Sequence, residues 1–231
     1  RETHFDFFSR LLEEEGITYY FKHEKGKHEL VLTDHVDGVY DCGDADVQML
    51  SNLSQPEPTD NLRAWSHDYQ FTSGKWTHTD YDFENPTSSL LKDSTSKVSL
   101  TGNSNLEFYD FPGDYVDKGL GGDLVNLRME EEEASYDTAS GRSVCRTFSP
   151  GARFKLAKHH DKNEAGGKWV VTAVEHHASQ GGSYFSSASH SDEIYQNSFR
   201  AIPADIVFRP PRTRSKPRLM GIQSAVVVGP A

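Results

Sequence analysis

Only two stretches of this chain carry a helical apolar repeat, and they lie among many short β-type segments. The first helix is expected near the start. Thr3 or Asp6 can cap it, Phe5, Phe8, Leu11 and Leu12 recur on one face, and Gly16 sits where a left-handed C-terminal cap belongs. The second covers residues 119–136, with Leu124, Leu127 and Arg128 leading into Glu130–Glu133. Both acidic runs, Glu13–Glu15 and Glu130–Glu133, read most simply as solvated helix faces. Ile17–Phe21 and Glu29–Leu32 flank the turn Lys25-Gly26-Lys27 and predict a hairpin. A second hairpin is expected from 64–71 and 76–83 around Thr72-Ser-Gly-Lys75. Residues 33–62 read as a long loop holding at most one short strand. Segments 97–100, 106–115, 142–147, 152–157, 168–177 and 195–201 complete the β content. Two helices among about ten strands define an α+β, β-dominated chain with barrel-like pieces.

Charge narrows the function. The net charge is −11 over 231 residues. Residues 209–218 contribute five cations and no acid, so the rest of the chain stands at −16. An acidic body argues against nucleic acid, whose phosphates need a clustered cationic face. The 13 Phe and 10 Tyr supply the area for a core. Cys42 and Cys145 suit two separate thiols in a reducing compartment, with one long-range disulfide as the alternative. No apolar run approaches the roughly 18 residues that span a bilayer, and no signal-peptide pattern is present.

Chemistry finds little foothold. His159-His160-Asp161 and Glu175-His176-His177 suggest metal ligands, but neighbours in a strand point to opposite faces, so His176 and His177 cannot share an ion. Glu175 and His177 can, and two ligands do not make a site. Asp110, Asp114 and Asp117 fit a solvated loop. Gly119, Gly121 and Gly122 precede a helix without the strand that a phosphate loop requires. Catalytic, cofactor-binding and metal residues are therefore all expected to be absent: none of each.

The tail from Ala201 to Ala231 holds five of the ten prolines. The run from Phe208 to Pro217 predicts a semi-rigid extended strap. Val226–Val228 reads as an opening strand, and the chain is expected to be the middle of a longer protein.

Several collinear motifs resemble one family. Asp6–Phe21, Asp80-Tyr-Asp-Phe-Glu-Asn-Pro86, Glu107–Tyr115, Ala201–Asp205, Phe208–Arg212 and Gly221–Pro230 together look like VgrG proteins, the spikes of bacterial type VI secretion, related to contractile-phage tail hubs. The resemblance implies a phage tail hub-like β-barrel domain with an associated α+β domain, discontinuous in sequence. It places residues 1–62 and 87–140 in the outer α+β domain and 63–86 and 141–200 in the hub barrel. Residues 201–223 become a proline-rich linker and 224–231 the start of a next domain, of oligonucleotide/oligosaccharide fold in the family. It implies a structural part without enzyme activity or cofactor: a homotrimeric hub that caps the hexameric Hcp tube, meets baseplate proteins, and carries the needle and secreted effectors. It implies puncture of a membrane without a transmembrane segment. The location would be the bacterial cytoplasm before firing, then the outside or a target cell. Two other readings stay open, a cell-envelope hydrolase and a carbohydrate-binding module using Trp65, Trp76 or Trp169. The second requires exposed coplanar rings, whereas Trp169 is expected to be buried.

Overall fold

The computed structural model describes residues 2–49, 61–179, 195–218, 220–222, 224–226 and 228–229. Helix α1 spans His4–Glu14, and the Thr3 hydroxyl accepts the Asp6 amide at 3.0 Å as its N-cap. Gly16 follows at φ 65°, the left-handed conformation that releases the chain from the helix. Strands β1 (Thr18–Glu24) and β2 (Lys27–Thr33) then pair as an antiparallel hairpin, with Gly26 at φ 76° in the turn.

Six strands build the main sheet: β3 (Tyr40–Gln48), β4 (Leu62–Tyr69), β8 (Asp137–Ser143), β9 (Ala152–Lys158), β10 (Lys168–Ala178) and β11 (Tyr195–Pro203). Their order is β3-β9-β10-β11-β8-β4, antiparallel except for the parallel β3–β9 pair. Met49, just after β3, forms an isolated parallel bridge with Leu62 at the start of β4. The two ends of the sheet thus approach each other, although among the described residues no continuous ladder closes it into a barrel. One face carries the core, including Phe148, Phe154, Phe199, Trp169, Leu62, Leu156, Val47 and Val171. Its rings meet mostly edge to face, with Phe148 and Phe199 at 5.0 Å and 86°.

A second unit is inserted between β4 and β8. Strands β5 (Lys75–His78), β6 (Lys92–Thr95) and β7 (Glu107–Asp110) form a three-stranded sheet in the order β6-β5-β7. Helix α2 (Lys118–Glu133) packs on it through Val125 and Met129 against Trp76. The Asp117 carboxylate accepts the Leu120 amide at 2.9 Å and caps α2.

Several expectations need correction. Residues 64–71 and 76–83 do not pair with each other: β4 pairs β8, and β5 pairs β6 and β7. The intervening turn is stitched into the inserted unit instead. The Gly74 amide donates to the Asn103 carbonyl at 2.9 Å, and the Ser96 amide donates to the Gly74 carbonyl at 2.9 Å. The supposed loop 33–62 contains nine-residue β3, whose alternation is broken by a register shift between Asp41 and Asp46 that leaves Cys42 and Val47 both buried. β3 belongs to the main sheet and β5 to the inserted unit. Segment 97–100 is not a strand, β6 lying earlier in the chain, and β8 ends at Ser143 where 142–147 was expected. On α1, Ser9, Arg10 and Leu12 are buried while Phe5 and Leu11 are exposed. Arg10 tolerates burial because Glu2 and Glu14 hold it at 2.8 and 3.1 Å. Val226 and Val228 are exposed and lie in no strand.

Candidate functional site: a basic strap on two acidic helices

After β11 the chain runs extended along the ends of α1 and α2, and its cations meet the two glutamate runs. Arg128 of α2 prepares the surface. Its guanidinium donates to the Glu13 carbonyl at 3.5 Å, to the Glu14 carbonyl, and to Glu131 at 2.6 Å. A cation there satisfies carbonyls that the last turn of α1 leaves open and complements the helix dipole. Burial lowers the Arg128 pKa, partly offset by Glu131.

The strap then docks residue by residue. Arg209 donates from Nε to Glu130 at 2.9 Å and from Nη1 to the Gly16 carbonyl at 2.9 Å. Gly16 matters to this approach: a Cβ there would lie 3.3 Å from Arg209 and 3.1 Å from Leu127. Beyond Pro210-Pro211, three successive amides are taken by carboxylates. The Arg212 amide donates to Glu131 at 2.9 Å, and the Thr213 and Arg214 amides both donate to Glu13 at 2.8 Å. Arg214 pairs with Asp6, and Lys216 reaches Asp114 at 2.8 Å, which raises the lysine pKa. Exposure ranks these contacts. Arg209 and Glu130 are 11% and 27% exposed, against 53% and 64% for Lys216 and Asp114. The first pair therefore holds the strap, while the last is screened by solvent.

The reading of Glu13–Glu15 and Glu130–Glu133 as solvated faces is thus corrected. Glu13, Glu130 and Glu131 receive the strap, and buried Glu133 accepts the Ser96 hydroxyl at 2.7 Å and the Lys97 amide. The signal was in the sequence as two acidic runs and one cationic run. Nothing in spacing alone showed that they would meet.

A second cluster also escaped sequence reasoning. His67 of β4 lies between Asp137, 2.7 Å from Nε2, and Glu164, 2.8 Å from Nδ1. The Trp65 indole donates to the same Glu164 at 2.9 Å. An imidazole flanked by two carboxylates can donate to both only as the cation. Burial alone lowers the His67 pKa, but the bonds to Glu164 and Asp137 outweigh it and raise the value. Burial likewise raises Glu164, yet the bonds from His67 and Trp65 bring it lower overall. The raised histidine stabilises the fold fully below its ordinary value of about 6.5, and that contribution is lost as pH climbs through the folded value. Glu164 adds stability above its ordinary value, lost as pH falls through its lowered one. The clasp is strongest between the two. His67→Ala is expected to cost about 2 kcal/mol near pH 5.5 and markedly less near pH 8.5. Urea midpoints at both pH values test this, and an equal cost at both rules out a charged His67.

The other singled-out residues are dispersed. Glu175 and His177 share a face at 3.4 Å, and His176 points away to the Tyr195 hydroxyl at 2.7 Å. The His159 and His160 rings lie 4.0 Å apart and tilted by 37°, and the His159 Nδ1 accepts the Asp161 amide. Among the described residues, no group of three or more His, Cys, Asp or Glu side chains is arranged to hold a metal ion. Asp110 and Asp114 face the strap cations Arg212 and Lys216, and Asp117 caps α2. A Cβ on Gly121 would lie 2.3 Å from the Tyr115 ring, so this glycine serves close packing. Cys42 and Cys145 are both buried, and no disulfide joins them. Trp169 is buried, and Trp65 meets it edge-on at 76°, so they form no flat sugar platform. Trp76 is buried beneath α2.

Residues 1–182 match the family model described as the phage tail baseplate hub (GPD). The chain is 31% identical over 233 residues to the type VI secretion system spike protein VgrG1b of Pseudomonas aeruginosa, covering 100% of this chain and 31% of that protein. It is 29% identical over 240 residues to the protein named actin cross-linking toxin VgrG1 of Vibrio cholerae, covering 21% of it. It thus spans at most about a third of these relatives. Among solved structures, the E. coli c3393 protein, described as a type VI secretion component similar to T4 tail proteins gp27 and gp5, superposes with TM-score 0.52. That match is 16% identical and covers 94% of this chain and 42% of the other. The prophage MuSo2 43 kDa tail protein of Shewanella oneidensis superposes with TM-score 0.53 at 10% identity, covering 87% of this chain and 55% of its own. With its sheets, inserted helical unit and strap seen together with these matches, the chain belongs to the phage tail baseplate hub family.

Proposed function

We propose that this chain is the hub portion of a type VI secretion spike, a structural part that transmits thrust rather than a catalyst. In this reading three copies assemble as a ring, the ring caps a hexameric Hcp tube within a baseplate, and the strap leads towards the puncturing end that carries effectors. The protein waits in the bacterial cytoplasm and leaves through the apparatus when it fires. The observation that carries the reading is the clasp of the strap on α1 and α2, which joins Thr213 to Glu13 across 200 residues. A contact that ties the segment after β11 back to α1 suits a part that is pushed from one side and loaded on the other. The main sheet and the inserted unit supply the surfaces that a symmetric ring requires. The toxin activity named for the Vibrio relative is assigned here to segments outside the matched fifth.

In-frame removal of this segment from the parent gene tests the proposal in a bacterium with an active apparatus. Release of Hcp into the medium is expected to fall to background while Hcp synthesis continues. Normal release, or turnover of peptidoglycan by the purified chain, overturns it.

A further inference from the structure

The face of the main sheet opposite the aromatic core forms a trough of about 600 Å³. It continues into a second hollow of about 470 Å³, bounded by Phe208 and Pro211 of the strap, and the two share Ser140, Ala173 and Arg200. The floor is unusual for the middle of a six-stranded sheet. Ser140, Ala173 and Ser198 present only small side chains, so a partner backbone can come close.

Arg142 and Arg200 stand on this floor. Arg142 lies opposite Ser198, and Ser140 lies opposite Arg200, so the two arginines are diagonal neighbours on one face. Both are exposed, and neither side chain has a hydrogen bond or ion pair among the described residues. This sets them apart in an acidic protein, where Arg10, Arg128, Arg153, Arg209, Arg212 and Arg214 each face a carboxylate. Of the acids that border the trough, Glu131 is held by the strap, Glu175 lies 3.4 Å from His177, and Asp68 accepts the Ser66 hydroxyl at 3.3 Å.

From these observations we infer that the trough is a docking surface for an acidic helix of another polypeptide, with two carboxylates one turn apart seated on Arg142 and Arg200. Glutamates four apart on a helix have Cβ atoms about 5–6 Å apart, and diagonal cross-strand residues lie about 7–8 Å apart. The long arginine side chains bridge that difference, and guanidinium–carboxylate pairs favour bidentate geometry. Alanines on the helix between the acids fit the small-residue floor.

The probe is a fluorescein-labelled helical peptide of Glu-Ala-Ala-Ala repeats, read by fluorescence anisotropy with the 231-residue chain at low salt. Its Gln-Ala-Ala-Ala counterpart, heparin and polyphosphate are run beside it. R142A/R200A is expected to weaken Glu-peptide binding by about tenfold or more. Arg218→Ala, which removes an exposed cation outside the trough, should change it by less than about twofold. The side-chain Nε–Hε resonances of Arg142 and Arg200 should move on titration while that of Arg153 stays. An unchanged urea midpoint for R142A/R200A separates lost binding from lost fold. No binding of the Glu peptide, equal binding of the Gln peptide, or equal loss in R218A overturns the inference. So does tighter binding of heparin or polyphosphate through the same two arginines, which identifies a general polyanion surface.

Discussion

Phe199→Ala is expected to cost the fold about 3–5 kcal/mol, much of the stability a domain of this size commonly has. Phe199 is 3% exposed and touches Phe148 at 5.0 Å, Phe154 at 5.9 Å and Trp65 at 6.2 Å. Removing its ring leaves a cavity between three other aromatic rings. The backbone cannot collapse into that space, because β11 is laddered to β8 and β10 on both sides. Phe199→Leu keeps most of the volume and should cost less than about 2 kcal/mol. Phe83→Ala, at a ring that is 74% exposed, should stay within about 0.5 kcal/mol. Urea unfolding followed by tryptophan fluorescence measures all three. Comparable shifts for Phe83 and Phe199 contradict the placement of the core.

The second large effect concerns the strap and is local. Arg209→Ala removes a paired guanidinium, leaving Glu130 without its 2.8 Å partner and the Gly16 carbonyl without its donor. Charge-assisted bonds of this kind contribute about 1.5–3 kcal/mol, so opening of the strap should become about ten- to a hundredfold more frequent. Trypsin reads that opening. The Arg209–Pro210 and Lys216–Pro217 bonds resist cleavage, whereas Arg212–Thr213 and Arg214–Ser215 are cut only when the strap lifts. Cleavage at those two bonds should accelerate in proportion to the opening. Lys216→Ala, at the more exposed pair, should leave the rate nearly unchanged. Equal acceleration in both variants would show that the strap is not held where Arg209 meets Glu130.

Local chemistry was legible wherever a residue type has one conformational use. Thr3 caps α1, Gly16 and Gly26 take positive φ, and the β-branched run of β10 forms the strand its composition predicts. The resemblance to spike and tail-hub proteins was legible too, because its motifs are spread along the whole chain. What sequence could not show was pairing at a distance. Trp65 and Trp76 sit in similar β-type segments with a turn between them, yet one packs on the main core and the other beneath α2. Only β8 and α2, which come later in the chain, decide that division. The candidate site failed to show for the same reason. Glutamate runs on helix ends look solvated until a distant cationic segment is brought to them, and His67 looks ordinary until Asp137 and Glu164 arrive from two other parts of the chain.

The insertion of one unit between two strands of another sets an order of assembly on the ribosome. Everything from β5 to α2 lies within residues 75–133, so the smaller sheet and its helix can be complete early. The main sheet must wait: β3 pairs with a strand more than a hundred residues later, and β11 is needed to join β8 to β10. Pairings between such remote segments form slowly. The strap emerges after both its helices, and it adds Arg209 and Arg212 to Glu130 and Glu131, which until then face only Lys97 and Arg128. Its docking therefore works as a seal, closing only on a nascent protein whose earlier parts have already found one another.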